Sequence, residues 1–208
     1  MSENQLIKEN SLDMQYIEMP EVAQTNFIWG DFIDEKVVDD IIELVHEHAY
    51  MFNTREGLTG AGLDTARKSS MDTILPIELN HPAVKNYLDA LQEVLVKYVE
   101  KFPWCIEYGP FSIIRDIGYQ WYAPGGGFKA WHTERAGSDP YCAQRHLVYM
   151  TYLNDVPDGG TDWYHQNLYV PAQKGYTVIW PADWTYTHRS HVSETSEKAI
   201  LTGWYEFE

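Results

Sequence analysis

Apolar residues recur at helical spacing in two stretches of the first half of the chain. In the first, over residues 35–49, the apolar side chains fall on one stripe, most acidic side chains face water, and Asp34 can cap the helix. In the second, Asn80 and Pro82 mark a helix start and Pro103 marks its end. The stripes consist of Val38, Ile41, Ile42 and Val45, and of Val84, Tyr87, Leu88, Leu91, Leu95, Tyr98 and Val99. We expect both helices to pack as a layer against a sheet.

The pattern changes after residue 105, where short runs of β-branched and aromatic residues alternate with clusters of Gly and Pro. Many short strands at fairly regular spacing are typical of a sandwich or a barrel. The predicted strands lie within residues 111–122, 128–133, 145–153, 168–170, 175–181 and 198–207. The predicted turns lie at residues 123–127, 157–160 and 171–175.

Two other segments show less pattern. Residues 1–30 are predicted to be largely irregular, with a short strand near Tyr16–Met19, and residues 53–70 are predicted to form a long loop. Because no internal repeat, low-complexity tract or linker is visible, we expect one domain over residues 1–208. In this domain, residues 1–104 supply an N-terminal segment and the supporting helices, and residues 105–208 form the β core that carries the site.

Composition narrows the class of protein and of partner. A length of 208 residues fits one large domain, and an apolar fraction of 44% is ordinary for a globular core. The formal net charge of -16 argues against nucleic acid or an anionic membrane surface as the main partner, and it permits a basic protein or peptide. The two cysteines, Cys105 and Cys142, lack a paired metal spacing. With no signal-peptide pattern and no apolar run near ~18 residues, we expect a cytoplasmic protein.

Two histidines and one carboxylate stand out as candidate metal ligands. His132 and Glu134 are two residues apart, so in one strand their side chains point to the same face, while His188 must arrive from a distant strand. Two His and one carboxylate leave three corners of an octahedron open, as in non-heme Fe(II) oxygenases. Lys198, ten residues after His188, can anchor the far carboxylate of an organic co-substrate. The His-x-acid tripeptide alone is a weak signal, because about one such match is expected by chance at this acidic content.

Further motifs at characteristic spacings surround these residues. They are Tyr122-Ala-Pro-Gly, ten residues before His132; Arg145 with Tyr152-Leu153-Asn154; Gly159-Gly160-Thr161; Thr185-Tyr-Thr-His-Arg; and Thr202 and Trp204 after Lys198. Together they make the segment from about residue 119 to residue 206 resemble the 2-oxoglutarate/Fe(II)-dependent oxygenases, in particular the prolyl 4-hydroxylase-like branch. Outside this segment only the two helices support the resemblance.

The resemblance implies a fold and a set of roles. The fold is mainly β, a double-stranded β-helix (jelly roll) with two supporting N-terminal helices. His132, Glu134 and His188 would bind Fe(II), and Lys198 would pair with the C5 carboxylate of 2-oxoglutarate. The remaining roles fall to Tyr122, Tyr152 and Thr202 around that carboxylate, and to Trp204, Arg189 and Arg145 on the pocket wall. The implied cofactors are Fe(II), the co-substrate 2-oxoglutarate and O2, with ascorbate as a further candidate.

The sequence departs from the family pattern at three points. The family's usual His-x-Asp is His132-Thr-Glu134 here, and the extra methylene can shift a ligand atom by roughly an ångström. The Gly-Gly-x-Thr turn is one residue short, and Ala199 stands where an aromatic residue often follows the basic one.

The weaker candidate ligands are His191, His165, His46 and His48, and the alternative carboxylate is Asp139.

The implied activity is that of a 2-oxoglutarate- and Fe(II)-dependent dioxygenase that hydroxylates an unactivated C–H bond. Peptidyl proline is the favoured substrate class, and the acidic composition favours a basic protein or peptide. One alternative is a non-catalytic β-barrel binding module with a vestigial metal site, which Glu134 supports and the intact Lys198–Thr202 strand opposes. Another is a cupin-like isomerase or hydrolase with the same ligands on another metal, from which succinate release would distinguish the oxygenase.

Overall fold

The computed structural model describes residues 26–136 and 140–208, and its two long helices lie where the sequence predicts them. The helices are α1 (Glu35–Glu47), α2 (Pro82–Lys101) and the short α3 (Pro140–Ala143). As predicted, a side-chain oxygen of Asp34 caps α1 by accepting a hydrogen bond from the Lys36 N–H at 2.8 Å. His81, rather than Asn80, caps α2, since its ring nitrogen accepts from the Ala83 N–H at 3.2 Å. No described helix has the length and apolar character needed to cross a membrane.

Thirteen strands in the described ranges form three sheets, and every pairing is antiparallel. The strands are β1 (Trp29–Phe32), β2 (Thr54–Glu56), β3 (Lys68–Ser69), β4 (Met71–Leu75), β5 (Phe111–Ser112), β6 (Ile117–Tyr122), β7 (Gly127–Phe128), β8 (Arg145–Tyr152), β9 (Val156–Trp163), β10 (Leu168–Ala172), β11 (Tyr176–Pro181), β12 (His188–Ser190) and β13 (Lys198–Phe207). The main sheet has the order β1-β11-β8-β13-β6-β4-β2, with β5 also paired to β13. A smaller sheet has the order β10-β9-β12, and β3 pairs with β7.

Both long helices pack against the main sheet, as the stripes predict. Val38 and Ile41 of α1 and Tyr87 and Leu91 of α2 are fully buried in one cluster with sheet residues such as Leu147. Burying each side chain of this size contributes about 1.5–3 kcal/mol. The helix layer therefore fixes the position of the sheet that carries β8, β11 and β13.

A second apolar cluster lies between the other face of the main sheet and the smaller sheet. Trp163 of β9 and Trp180 of β11 are both buried there, with ring centroids 5.2 Å apart in an edge-to-face arrangement. Trp180 also lies edge-to-face with the His188 ring, at 5.1 Å. Through Trp180, this cluster packs against the ring of the candidate ligand His188.

The prediction of one strand over residues 128–133 is wrong. The β7 strand ends at Phe128, and the N–H groups of Lys129 and Ala130 donate to the Arg67 carbonyl instead of continuing a ladder. His132 then forms an isolated bridge with His188, and Glu134 lies in a bend. The two candidate ligands thus converge through irregular backbone rather than through strand alternation.

The predicted turn at residues 157–160 is also wrong, because these residues lie inside β9. The pairing of β9 with β10 shifts register between Val170 and Ala172. In this part of β9 the hydrogen-bonded ladder to β10 is therefore interrupted. Asp158 has a φ of 55° within the irregularity. The bulge accommodates Pro and Gly that a regular central strand would exclude.

The N-terminal half contains more strand than predicted. The segment 53–70, predicted as a loop, contains the short strands β2 and β3, and neither β1 nor β4 was expected from the sequence. These strands form because β1 pairs with β11, β3 with β7 and β4 with β6, and none of them has a long apolar pattern in the sequence. The predicted strand near Tyr16–Met19 lies outside the described residues.

Candidate metal centre

The three candidate ligands lie together where β12 meets the segment that follows β7. The N–H of each histidine donates to the carbonyl of the other at 3.0 Å, which places their rings 4.3 Å apart between centroids. The Glu134 Oε1 lies 3.3 Å from His132 Nε2 and 3.5 Å from His188 Nε2. Within the described ranges no other group of three His, Cys, Asp or Glu has its ligand atoms so close, all within 4.8 Å.

The backbone sets the tautomer of both histidines. The Nδ1 of His132 lies 3.0 Å from the Ala130 carbonyl, and the Nδ1 of His188 lies 2.9 Å from the Tyr186 carbonyl. A carbonyl only accepts, so each Nδ1 carries the proton and each neutral ring presents the lone pair of Nε2. Both lone pairs point to the position that Glu134 also faces.

The charges at this position favour a bound cation. Burial acts to raise the pKa of Glu134, but without a bound cation the hydrogen bonds and positive charge of proton-bearing His132 and His188 rings outweigh it and hold that pKa well below its usual range. Burial, with the His132 ring nearby, lowers the pKa of His188. Neutral imidazoles and a carboxylate all present lone pairs, which repel one another unless a positive charge lies between them. This donor set suits Fe(II), Mn(II) or another divalent transition metal.

Lys198 lies at the start of β13 and is 5% exposed. Its Nζ donates to the Gly159 carbonyl at 2.7 Å and to the His191 carbonyl at 3.3 Å, and it contacts the Ser190 hydroxyl. The Nζ also lies 5.3 Å from the centre of the Tyr122 ring. Burial lowers the pKa of Lys198 to about 8. None of these contacts is with a carboxylate, so an anionic ligand would be the partner that satisfies this charge.

Three further predicted residues surround the same cavity, and each hydroxyl has a protein partner. The Tyr122 hydroxyl donates to Gln120 Oε1 at 2.6 Å, and the Tyr152 hydroxyl lies 2.7 Å from Thr161 Oγ1. The Thr202 hydroxyl donates to a backbone carbonyl of β8 at 3.0 Å. The structure thus brings all three to the cavity wall beside Lys198.

The three residues predicted on the pocket wall lie in two places. Trp204 and Arg145 line the cavity and contact Glu134 directly, through Trp204 Nε1 at 3.1 Å and Arg145 Nη1 at 3.3 Å. Arg189 does not line the cavity. Its guanidinium lies 4.4 Å from the centre of the Trp131 ring and 3.3 Å from Asp162 Oδ2, which places it on the outer rim.

The cavity has a volume of about 580 Å³ and contains residues that the sequence did not identify. The Phe128 ring stacks on His132 with centroids 3.6 Å apart. Lys68 is buried at the wall and pairs with Asp72 at 2.6 Å. Thr161, the last residue of the Gly159-Gly160-Thr161 motif, lines the cavity with its hydroxyl 2.7 Å from that of Tyr152.

None of the weaker candidate ligands that the structure describes lies at this centre. His191 is directed outward, with its ring nitrogen 3.3 Å from Asp162. His165 lies exposed on the β9–β10 connection, 5.6 Å from the Trp184 ring. His46 lies on α1 and His48 at its end, and neither lines the cavity. Asp139 lies outside the described residues.

Solved structures with the same architecture are prolyl hydroxylases. A prolyl 4-hydroxylase from Pseudomonas putida matches 88% of this chain and 94% of its own, with a TM-score of 0.62 and 18% identity. A viral collagen prolyl hydroxylase from Paramecium bursaria Chlorella virus-1, solved with 2-oxoglutarate, matches 90% and 99%, with a TM-score of 0.65 and 17% identity. A Trichoplax adhaerens prolyl hydroxylase in complex with a peptide of the hypoxia inducible factor oxygen degradation domain matches 88% and 84%, with a TM-score of 0.64 and 15% identity.

These matches confirm the predicted fold, a double-stranded β-helix with supporting helices. No protein-family profile and no curated protein sequence matches the chain. At 15–18% identity the likeness establishes architecture. Chemistry has to be argued from the residues of the site.

Proposed function

We propose that this protein is a 2-oxoglutarate-dependent dioxygenase that uses Fe(II) held by His132, Glu134 and His188. The observation that carries the proposal is the joint placement of two groups in one cavity. Two histidine nitrogens and a carboxylate oxygen converge at one end of the cavity, and on its wall lies the buried Lys198, which has no carboxylate partner among the described residues. A metal-binding site alone does not require that buried cation, whereas a dianionic co-substrate does.

The protein residues have three tasks in this proposal. The three ligands hold the metal on one side and leave the other side open to exchangeable ligands. Lys198 binds the C5 carboxylate of 2-oxoglutarate, and the hydroxyls of Tyr152 and Thr161 lie on the adjoining wall. The Phe128 ring covers His132 and limits access of water. Bound Fe(II), 2-oxoglutarate and O2 supply the oxidation of a C–H bond.

We propose a protein or peptide as the prime substrate, with peptidyl proline as the favoured residue. The support is the fold shared with prolyl hydroxylases, one of which was solved with a peptide. The net charge of -16 favours a basic partner over the bulk surface. Close to the cavity, however, Arg67 contributes positive charge, whereas Lys68 and Arg145 are already paired with Asp72 and with Glu134, so an acidic residue next to the target is also compatible with the mouth.

The alternative is a binding module whose metal site is no longer active. The replacement of the usual Asp by Glu134 supports this alternative. That support is weakened because the longer side chain still brings Oε1 close to both histidine nitrogens. Both Nδ1 atoms also hold the tautomer that a metal needs. A site that no longer binds metal would not require these features to occur together, so their joint presence favours a working metal site.

Thermal unfolding under anaerobic conditions tests the proposal. We expect Mn(II) to raise the melting temperature, and 2-oxoglutarate to raise it further only when Mn(II) is present, because a ligand at 100 times its Kd adds about 2.7 kcal/mol of stability. Glutarate, which lacks the 2-oxo group, is the matched control and should add much less. A shift with Mn(II) but none with 2-oxoglutarate would favour the binding module.

The affinity for 2-oxoglutarate should depend on pH through Lys198. With a pKa of about 8 in the free protein, the ammonium that binds the carboxylate is lost as the pH rises through 8, so affinity should fall by up to about tenfold per pH unit above that point. Bound carboxylate raises the pKa, so binding above pH 8 is accompanied by proton uptake. Calorimetry with Mn(II) between pH 7 and 9.5 measures both effects. In Lys198→Arg the guanidinium stays charged, so the slope should disappear, and a slope equal to that of the parent would assign the titration to another group.

A further inference from the structure

The outer oxygen of Glu134 is held by two donors. While Oε1 faces the two histidines, Oε2 accepts from Trp204 Nε1 at 3.1 Å and from Arg145 Nη1 at 3.3 Å. The same Nη1 donates to the backbone carbonyl of Glu134 at 2.8 Å. Arg145 therefore fixes both the main chain and the side chain of this residue.

Arg145 is itself held in place by two neighbours. Its guanidinium lies flat against the Trp204 ring, 3.4 Å from the ring centre. Its Nε lies 3.9 Å from Oε1 of Glu206, too far for a direct hydrogen bond but close enough for an ion pair, and neither atom has another hydrogen-bond partner among the described residues. The guanidinium is thus placed between two carboxylates.

Glu206 is an unusual residue to find where it lies. Its side chain is 1% exposed, and its other oxygen accepts from Arg115 Nε at 2.6 Å. Burying a carboxylate costs free energy unless paired positive charges compensate for it. Arg115 and Arg145 lie beside Glu206, so this carboxylate does not need a ligand in the cavity as its partner. On β13 it lies two residues after Trp204, where the pairing with β8 shifts register and sets Glu206 opposite Arg145.

These residues form a line of alternating charges that runs from the surface to the centre: Arg115, Glu206, Arg145 and Glu134. The line ends on the residue that departs from the family's Asp. A glutamate has one more torsion than an aspartate, so an unrestrained Glu134 can rotate and present both oxygens to a metal. Holding Oε2 removes that freedom and leaves Oε1 as the single ligand atom.

We propose that Glu206 is a positioning residue for the metal centre: by orienting Arg145, it fixes Glu134 as a ligand through one oxygen. The inference rests on the proposed metal site. Residues that orient metal ligands without touching the ion typically change metal affinity by about 10–100-fold when they are replaced. Glu206 acts through Arg145, so the low end of that range is expected for it.

Mn(II) binding to the full chain tests the proposal without any need for activity. Titration followed by the electron paramagnetic resonance of free Mn(II) gives the Kd of the parent, of Glu206→Gln, of Arg145→Met and of the double variant. We expect Glu206→Gln to weaken binding by about tenfold and Arg145→Met by at least as much. If Glu206 acts through Arg145, the double variant should bind no more weakly than Arg145→Met alone, because effects in one network are not additive.

Co(II) absorption supplies a readout that a loss of general stability would not change. The visible bands of bound Co(II) respond to coordination number, so freeing Oε2 in Glu206→Gln should alter them, and Glu206→Asp, which retains the charge, should restore part of the parent spectrum. Asp31→Asn is the matched control: it removes a carboxylate paired with Lys97 at 2.6 Å, far from the cavity, and should leave both the Kd and the bands unchanged. Melting temperatures without metal show whether each variant is folded.

The outcomes separate this inference from the function on which it rests. If the parent chain does not bind Mn(II), the proposed metal centre is wrong. If the parent binds and Glu206→Gln binds equally well with an unchanged Co(II) spectrum, or if the effects of Glu206→Gln and Arg145→Met add, the positioning role is wrong. Should Glu206→Gln fail to fold, Arg145→Lys carries the test, since it keeps the charge but cannot span Glu134 and Glu206, and parent-like Mn(II) affinity in that variant would overturn the proposal.

Discussion

Replacing His188 with alanine is expected to abolish 2-oxoglutarate turnover while leaving the chain folded. In the proposed centre the ring supplies one of three ligand atoms, so its loss should cost more than the roughly 10–100-fold typical of residues that only orient ligands. The backbone pairing of His132 with residue 188 does not depend on the side chain, so the fold around the site should persist. Succinate formation and Mn(II) affinity measure the effect, and the melting temperature without metal reports the fold.

The neighbouring histidine gives a matched control for this variant. His191 lies three residues further on, with its ring directed to Asp162 on the outer surface, so His191→Ala should retain nearly all the activity. Full turnover in His188→Ala together with an inactive His191→Ala would show that the wrong histidine has been assigned to the metal.

Replacing Lys198 with alanine is expected to raise the apparent KM for 2-oxoglutarate by about tenfold or more. A hydrogen bond to a charged group is typically worth about 1.5–3 kcal/mol, and here the group is buried and contacts no carboxylate in the part of the chain that the structure describes. The metal ligands do not contact Lys198, so Mn(II) affinity measured without 2-oxoglutarate should stay close to that of the parent. This difference separates loss of co-substrate binding from damage to the metal centre.

The charge-conserving variant Lys198→Arg should be milder than Lys198→Ala but not neutral. A planar guanidinium does not reproduce the single donor that now reaches the Gly159 carbonyl and the Ser190 hydroxyl. An unchanged KM for 2-oxoglutarate in both variants would remove Lys198 from the co-substrate site. A lowered metal affinity in both would instead point to a structural role.

The helices and most of the β core could be predicted from the sequence because their signals are local. The stripe from Val38 to Val45 and the Pro82 start of α2 depend on spacings within one element. The strand β13 was found in the same way, over the residues that the structure assigns to it. By contrast, β1 and β4 are short, and their order comes from partners far along the chain.

The sequence places the candidate metal ligands together for a partly wrong reason. The spacing of His132 and Glu134 was interpreted as strand alternation, whereas the two side chains converge through a bend and an isolated bridge to His188. The two side chains still come together because the isolated bridge between His132 and His188, rather than a regular strand, sets the positions of the histidine rings. Motif spacing therefore identified the candidate ligands without giving the backbone that positions them.

Motif spacing pointed to Arg145 and Trp204 beside the candidate ligands, but other residues around them could not be found from local patterns. Glu206 and Arg115 are 91 positions apart and have no shared motif, and only the folding of β13 next to the β5–β6 segment brings them into contact. Phe128 stacks on His132 because the chain turns back after β7. A long-range contact such as that of Arg115 with Glu206 follows from the packed fold, and no spacing in the sequence encodes it.

In the proposed function, this cavity couples 2-oxoglutarate decarboxylation to oxidation of a substrate C–H bond. The most direct test incubates the full chain with Fe(II), 2-oxoglutarate, ¹⁸O₂ and a library of proline-containing peptides, and measures succinate and peptide mass together. We expect succinate formation that requires Fe(II) and O2, with one ¹⁸O atom gained by a peptide and neither product formed by His188→Ala. Mn(II) binding with no succinate under any of these conditions, with or without peptide, would rule the proposed function out.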